Sequence, residues 1–81
     1  MLHDPETIRQ AAREAVLAIV KRPVRDDQCV ISTGIVDSLS VLDLISLLKK
    51  RLQIRIPTEK VQPEDFDSVE IIVETLERVA T

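Results

Sequence analysis

Val41, Leu44, Ile45, Leu48 and Leu52 recur at the spacing of one helix face. They form an apolar stripe about 100° wide, which a chain can hide only by packing that helix against other elements. Two further segments carry the same period. Ile8, Ala12, Ala15 and Ile19, with Val16 beside them, share a face near the start, and Val69, Ile72, Val73, Leu76 and Ala80 share one at the end. Gly34 is the single glycine and Phe66 the single aromatic, which argues against a sheet-rich fold. Eighty-one residues, 44% apolar and 31% charged, have a globular balance. They suit one domain spanning residues 1–81, with a core of modest size.

Local signals place the boundaries. Asp4 suits an N-cap, Pro5 the first helical position and Glu6 the positive end of the helix dipole. Lys21 and Arg22 suit the last turn of that helix, and Pro23 stops it. Residues 22–37 show no sustained period, a long connection for a small domain. Val24, Val30, Ile31 and Ile35 are expected to pin it to the core, with Gly34 supplying a turn conformation. The second helix runs from about Ser38 to Leu52, with Lys49, Lys50 and Arg51 complementing its C-terminal dipole. Ile54 to Ile56 reads as extended, since Pro57 keeps the residue before it out of the helical region. Thr58 to Gln62 suits one short helical turn before Pro63. Asp67-Ser68-Val69-Glu70 is a capping-box pattern with Asp67 as the cap. The expected fold is all-α: a small bundle of three main helices and one short one.

Several function classes are disfavoured. Lys and Arg number 11 against 14 Asp and Glu, a net charge of −3, which opposes bulk binding to nucleic acid or anionic lipid. The longest greasy stretch, Val41 to Leu48, is broken by Asp43 and Ser46 and is too short to span a bilayer. The first residues lack the basic and apolar regions of a signal peptide. Cys29 stands alone, without a partner for a disulfide or a zinc site, which fits a reducing cytoplasm. His3 is the one histidine, and no Gly-rich phosphate loop or metal-binding helix motif is present. No catalytic or metal-binding residues are assigned, and an enzyme is not expected.

The informative segment is Gly34-Ile35-Val36-Asp37-Ser38-Leu39, where the long connection meets the greasiest helix. Ser or Asp at a helix start is usually only a cap, and Asp-Ser-Leu alone is a common tripeptide. Its setting adds more. A phosphate on a serine in the first turn would meet the positive end of the helix dipole. Leu39 lies nearly opposite the core stripe and Leu42 at its margin, so both are expected to be exposed beside that hydroxyl, offering a partner an apolar handle.

With these residues in place, the chain resembles the acyl and peptidyl carrier proteins, small four-helix domains that carry 4′-phosphopantetheine. The matching residues are Gly34, Asp37, Ser38 and Leu39, then Val41, Leu44, Ile45, Leu48 and Leu52. Ile54-Arg55-Ile56-Pro57 resembles the family's stretch after its second helix, and Phe66-Asp67-Ser68-Val69 the start of its last. The resemblance covers essentially the whole chain. It implies that Ser38 is the attachment point of a phosphopantetheine arm drawn from coenzyme A. It implies that Asp37 is the acidic residue used in docking with the transferase, and that Leu39 and Leu42 touch partners. The implied partners are a phosphopantetheinyl transferase, an adenylate-forming acyl or aminoacyl ligase or an acyltransferase, and enzymes that process the cargo. A monomer is expected.

Carriers of bacterial fatty acid synthesis are similar to one another in having a strongly acidic second helix. Here that helix has only Asp43 and ends in Lys49-Lys50-Arg51, and Gln53 stands where glycine is usual. A stand-alone carrier for specialised acyl or aminoacyl groups fits this pattern better than a fatty acid carrier, which remains the alternative. A more remote alternative is an unmodified helical adaptor that uses Leu39 and Leu42 purely for binding.

Overall fold

A computed structural model describes residues 4–79. His3 and Ala80 lie outside the described residues. Three α-helices carry the fold: α1 (Pro5–Val20), α2 (Ser38–Leu52) and α3 (Val69–Val79). Two single-turn 3-10 helices, Thr58–Lys60 and Pro63–Phe66, lie between α2 and α3. No strand occurs among the described residues.

The three apolar stripes meet in one core. α1 packs against both α2 and α3. Its buried residues are Ile8, Ala11, Ala12, Ala15 and Val16; the small alanines at the contact allow close approach of the helix axes. α2 buries Val41, Leu44, Ile45, Leu48 and Leu52, the whole expected stripe. α3 buries Val69, Ile72, Val73 and Leu76, and also Thr75, whose hydroxyl donates to the Asp65 carbonyl at 2.9 Å. Phe66 is fully buried on the second 3-10 turn, which packs against α3 and α2. Ile19 is only partly buried.

Three boundaries differ from the sequence expectation. α1 ends at Val20, so Lys21 and Arg22 lie beyond its last turn. Lys21 takes a left-handed conformation, φ 68°, and its N–H donates to the Leu17 carbonyl at 2.7 Å. The cause sits downstream: Pro23 keeps Arg22 out of the helical region, so the chain must leave the helix before it. Between α2 and α3 the chain makes two 3-10 turns where one short helix was expected. Gln62 and Pro63 open the second of these, with Gln62 capping it.

The third difference is at α3. Asp67 is not its cap; it ends the preceding 3-10 turn in a right-handed helical conformation. Ser68 takes the capping role, its hydroxyl oxygen accepting from the Ile71 amide at 3.2 Å. Both residue types cap helices well. Here Asp67 is drawn away by donors from a distant part of the chain, described next.

Candidate functional site

Residues 21–37 carry no regular helix, yet their backbone is tied down at both ends. Near the start, the Asp26 carboxylate accepts from Arg9 at 3.1 Å and from Arg13 at 2.9 and 2.7 Å. Arg9 and Arg13 are one turn apart on α1, so one carboxylate bridges both. The hydrogen bond from Arg13, opposed by partial burial and reinforced by Arg9, holds Asp26 below the usual carboxylate range. The Asp26 carbonyl accepts from the Glu70 amide at 3.0 Å, satisfying one free donor in the first turn of α3.

Further along, one oxygen of Asp67 accepts three backbone N–H groups: Val30 at 3.1 Å, Ile31 at 2.7 Å and Ser32 at 3.0 Å. Val30 also donates to the Asp67 carbonyl at 2.7 Å. Asp67 is 8% exposed. Burial pushes its carboxyl up, but the amides of Ser32, Ile31 and Val30 outweigh that and hold it below the usual range. The Val30 carbonyl then accepts from the Val36 amide at 2.7 Å, closing the loop onto itself one residue before Asp37. Gly34, at φ 81°, makes the turn inside this closure, and its amide donates to the Ile31 carbonyl at 3.0 Å. Val30 and Val36 are buried, while Val24, Ile31 and Ile35 are packed partly against the core.

This clasped loop delivers Asp37 and Ser38 to the start of α2. Asp37 is the N-cap, in extended conformation, and its carboxylate accepts from the Ser40 amide at 2.8 Å. That hydrogen bond, with a second from the Ser40 hydroxyl, holds the Asp37 carboxyl below the usual range. Asp37 therefore stays ionised at neutral pH. A carboxylate of such low basicity suits charge pairing or docking better than proton abstraction.

Ser38 is the first residue of α2 and is exposed. Its hydroxyl has no hydrogen-bond partner among the described residues. Leu39 is 77% and Leu42 61% exposed, on the same helix whose inner stripe is buried. Beside Ser38 an apolar crevice of about 130 Å³ runs between Val41, Leu42 and Ile45 of α2 and Val61 and Pro63 opposite. The structure thus brings together Asp37, Ser38, Leu39 and Leu42 at one end of α2. A larger surface depression, about 660 Å³, lies at the other end of α2, beside the Glu14–Arg51 ion pair at 2.7 Å. Thr7 is the one hydroxyl in its lining and no exposed large apolar residue lines it, so the site is read from the Ser38 end, where Leu39 and Leu42 flank the hydroxyl.

Cys29 is partly buried in the loop, where its carbonyl accepts from the Thr33 hydroxyl at 2.9 Å. Among the described residues no cluster of His, Cys, Asp and Glu is arranged to hold a metal ion, and no helix is long and apolar enough to cross a membrane. Sequence reasoning did not assign the supporting roles of Asp26, Val36 and Asp67. A partial signal existed for Asp26: two arginines four apart on α1 need an acid nearby. For Asp67 the capping pattern pointed elsewhere. Comparison with known protein families, curated proteins and solved structures finds no match to this chain.

Proposed function

We propose that this chain is a carrier protein of the acyl and peptidyl carrier type, modified on Ser38 with 4′-phosphopantetheine. The observation that carries the reading is the first turn of α2. There an exposed serine hydroxyl without a partner follows an ionised cap, Asp37, and is flanked by the exposed Leu39 and Leu42. In this reading the two 3-10 turns stand in the place of the family's short helix.

The residues present fit the group. The Ser38 hydroxyl is free to react, and a phosphodiester there lies at the positive end of the α2 dipole. In the modification, the Ser38 oxygen forms a bond to the phosphorus of coenzyme A that bears the pantetheine. The pyrophosphate bond breaks, 3′,5′-adenosine bisphosphate leaves, and the hydroxyl proton passes to a base on the transferase. When attached, the arm supplies a thiol that holds an acyl or aminoacyl group as a thioester on a flexible tether. Asp37 fixes the start of α2 and offers a charge for docking with the phosphopantetheinyl transferase. Leu39 and Leu42 offer apolar contact to that enzyme and to those that load and process the cargo. The chain itself contributes no acid, base or nucleophile to the cargo chemistry. Its part is to raise the local concentration of cargo at each partner. Work in the cytoplasm fits the lone, partly buried thiol of Cys29.

Among carriers, a specialised acyl or aminoacyl pathway with an adenylate-forming ligase is favoured over fatty acid synthesis. The supporting observation is that the only acid on α2 is Asp43, while Lys49, Lys50 and Arg51 are exposed at its end. An enzyme that seeks an acidic helix would find little to pair with.

The test is to incubate the protein with coenzyme A and a broad-specificity phosphopantetheinyl transferase and to weigh it. The expected mass gain is one phosphopantetheine on Ser38, absent from a folded Ser38→Ala protein. A gain that survives Ser38→Ala ends the assignment to Ser38. No gain at all leaves the Leu39 and Leu42 face as that of an unmodified adaptor.

A further inference from the structure

Lys49, Arg55 and Lys60 line one crevice of about 530 Å³ at the end of α2 remote from Ser38. Ile56, Pro57 and Val79 supply the apolar part of a mostly polar lining, in which Glu59 is the one acid. Lys50 and Arg51 stand next to it in sequence. Of these five cations only Arg51 has a carboxylate within ion-pair distance, Glu14 at 2.7 Å. Lys49, Lys50, Arg55 and Lys60 have none among the described residues. Elsewhere Arg9 and Arg13 are paired with Asp26, Arg25 with Asp27 and Arg78 with Asp65, while Lys21 and Arg22 have no ion pair among the described residues.

The α2 dipole accounts for part of this cluster, since cations at a helix C-terminus are favourable. It does not account for Arg55 and Lys60. Both lie past Leu52, on the connection that forms the other wall of the crevice. Gathering like charges around one cleft opposes folding, and in a chain of net charge −3 there is no shortage of acids that could neutralise them. A mostly polar cleft with three unpaired cations and a few apolar residues is complementary to a chain segment that carries several carboxylates beside an apolar side chain.

We infer that the Lys49–Arg55–Lys60 crevice is a docking site for an acidic peptide segment of a partner protein. A single inorganic anion is a poorer fit, because the cations are spread around a wide cleft. An anionic lipid surface is opposed by the net charge of the chain, −3. The inference rests on the carrier reading only in naming the partner as an enzyme that loads or processes the cargo. Lys49 lies about 16 Å along α2 from Ser38. A partner that touched Leu39 and Leu42 and also filled the crevice would lie along the whole helix, which fixes its orientation relative to the arm.

The experiment uses the unmodified full chain, labelled with nitrogen-15. It is titrated with a short peptide of alternating glutamate and leucine, with the glutamine counterpart, with inorganic phosphate and with phosphatidylserine vesicles. The expected result is that the glutamate peptide shifts the backbone amides of Lys49, Arg55 and Lys60, that salt weakens the effect, and that the glutamine peptide binds at least tenfold more weakly. Arg55→Glu with Lys60→Glu should abolish the shifts. Arg55→Gln with Lys60→Gln should weaken them, and unchanged amide positions elsewhere show in each case that the fold is kept. Shifts centred on Leu39 and Leu42, an equal response to the glutamine peptide, or phosphate or vesicles perturbing the same amides as strongly would each overturn the inference. No arm on Ser38 is needed, so failure here and failure of the carrier reading are read independently.

Discussion

The Asp67 carboxylate and the Ile31 amide, 36 residues apart in sequence, lie 2.7 Å from one another. The same oxygen also takes the amides of Val30 and Ser32. One buried acid near the start of α3 thus fixes the backbone that leads to Ser38. Replacing Asp67 with Ala leaves three partly buried donors without an acceptor. We expect a loss of about 3 kcal/mol, in line with hydrogen bonds to a charged acceptor. Urea denaturation measures it. Hydrogen exchange at Val30, Ile31 and Ser32 should accelerate by more than global destabilisation explains. Asp67→Asn keeps one acceptor oxygen and should lose less. Equal loss in both variants would mean that side-chain volume, not hydrogen bonding, is what Asp67 supplies.

Acid should destabilise the fold through the same groups. The folded-state pKa values of Asp26, Asp37 and Asp67 all lie below the usual value. Their stabilisation is fully present above the unfolded carboxylate pKa of about 3.9 and is lost as pH falls through the lower folded values. The midpoint of urea unfolding should therefore fall steadily below about pH 4. In Asp67→Asn the fall should be shallower. Superimposable acid profiles for the two proteins would show that Asp67 contributes nothing to the dependence.

How much of this was legible in the sequence differs by element. α2 could be read to the residue, since its start, stripe and basic end all fall within one helical period and each signal is local. The exposure of Leu39 and Leu42 followed from the same wheel. The start of α3 could not be read in this way. Asp67 and Ser68 are both good caps, and only the amides of a loop 35 to 37 residues away decide between them. Val36 and Thr75 are buried for a similar reason. Their neighbours come from elsewhere in the chain, and neither sits in a local pattern that announces it. The end of α1 was misplaced because Pro23 exerts its effect through the residue before it.

Both long helices that end in the described chain before α3 do so on a non-glycine residue in the left-handed region: Lys21 at φ 68° and Gln53 at φ 52°. That conformation costs an L-residue about 1–2 kcal/mol, whereas glycine adopts it freely at an entropic cost of about 0.5–1 kcal/mol. Gln53→Gly should thus stabilise the protein by about 0.5–1 kcal/mol. Calorimetry would register this as a rise in Tm, and a fall would contradict the assigned backbone conformation.

The two faces of α2 should respond oppositely to truncation. Leu48 is completely buried and Leu42 is 61% exposed. Leu48→Ala should cost about 2–5 kcal/mol. Leu42→Ala should hardly change stability and should slow modification of Ser38. Chemical denaturation gives the first pair of values and a timed mass assay the other. The reverse order of stabilities would mean that the helix is rotated from the register described.

Asp37 serves as a cap and, in the proposed function, as a docking charge, and substitution separates the two. Asparagine caps as well as aspartate. Asp37→Asn should unfold at nearly the wild-type temperature yet accept phosphopantetheine more slowly. Asp37→Ala should lose both properties. Wild-type modification rates for Asp37→Asn would remove the charge from the recognition of Ser38.

The hydrogen bonds that hold the loop end on Asp67 and Glu70 at the start of α3 and, through Asp26, on α1. None of them uses an outward-facing side chain of α2. The residues that make the loop rigid are therefore separate from those a visiting enzyme would touch. On the carrier reading, Leu39, Leu42, Asp43 and Ser46 would form an address that can be rewritten without rebuilding the scaffold that displays it. Exchanging these four side chains would then redirect the protein among enzymes while its architecture stays constant.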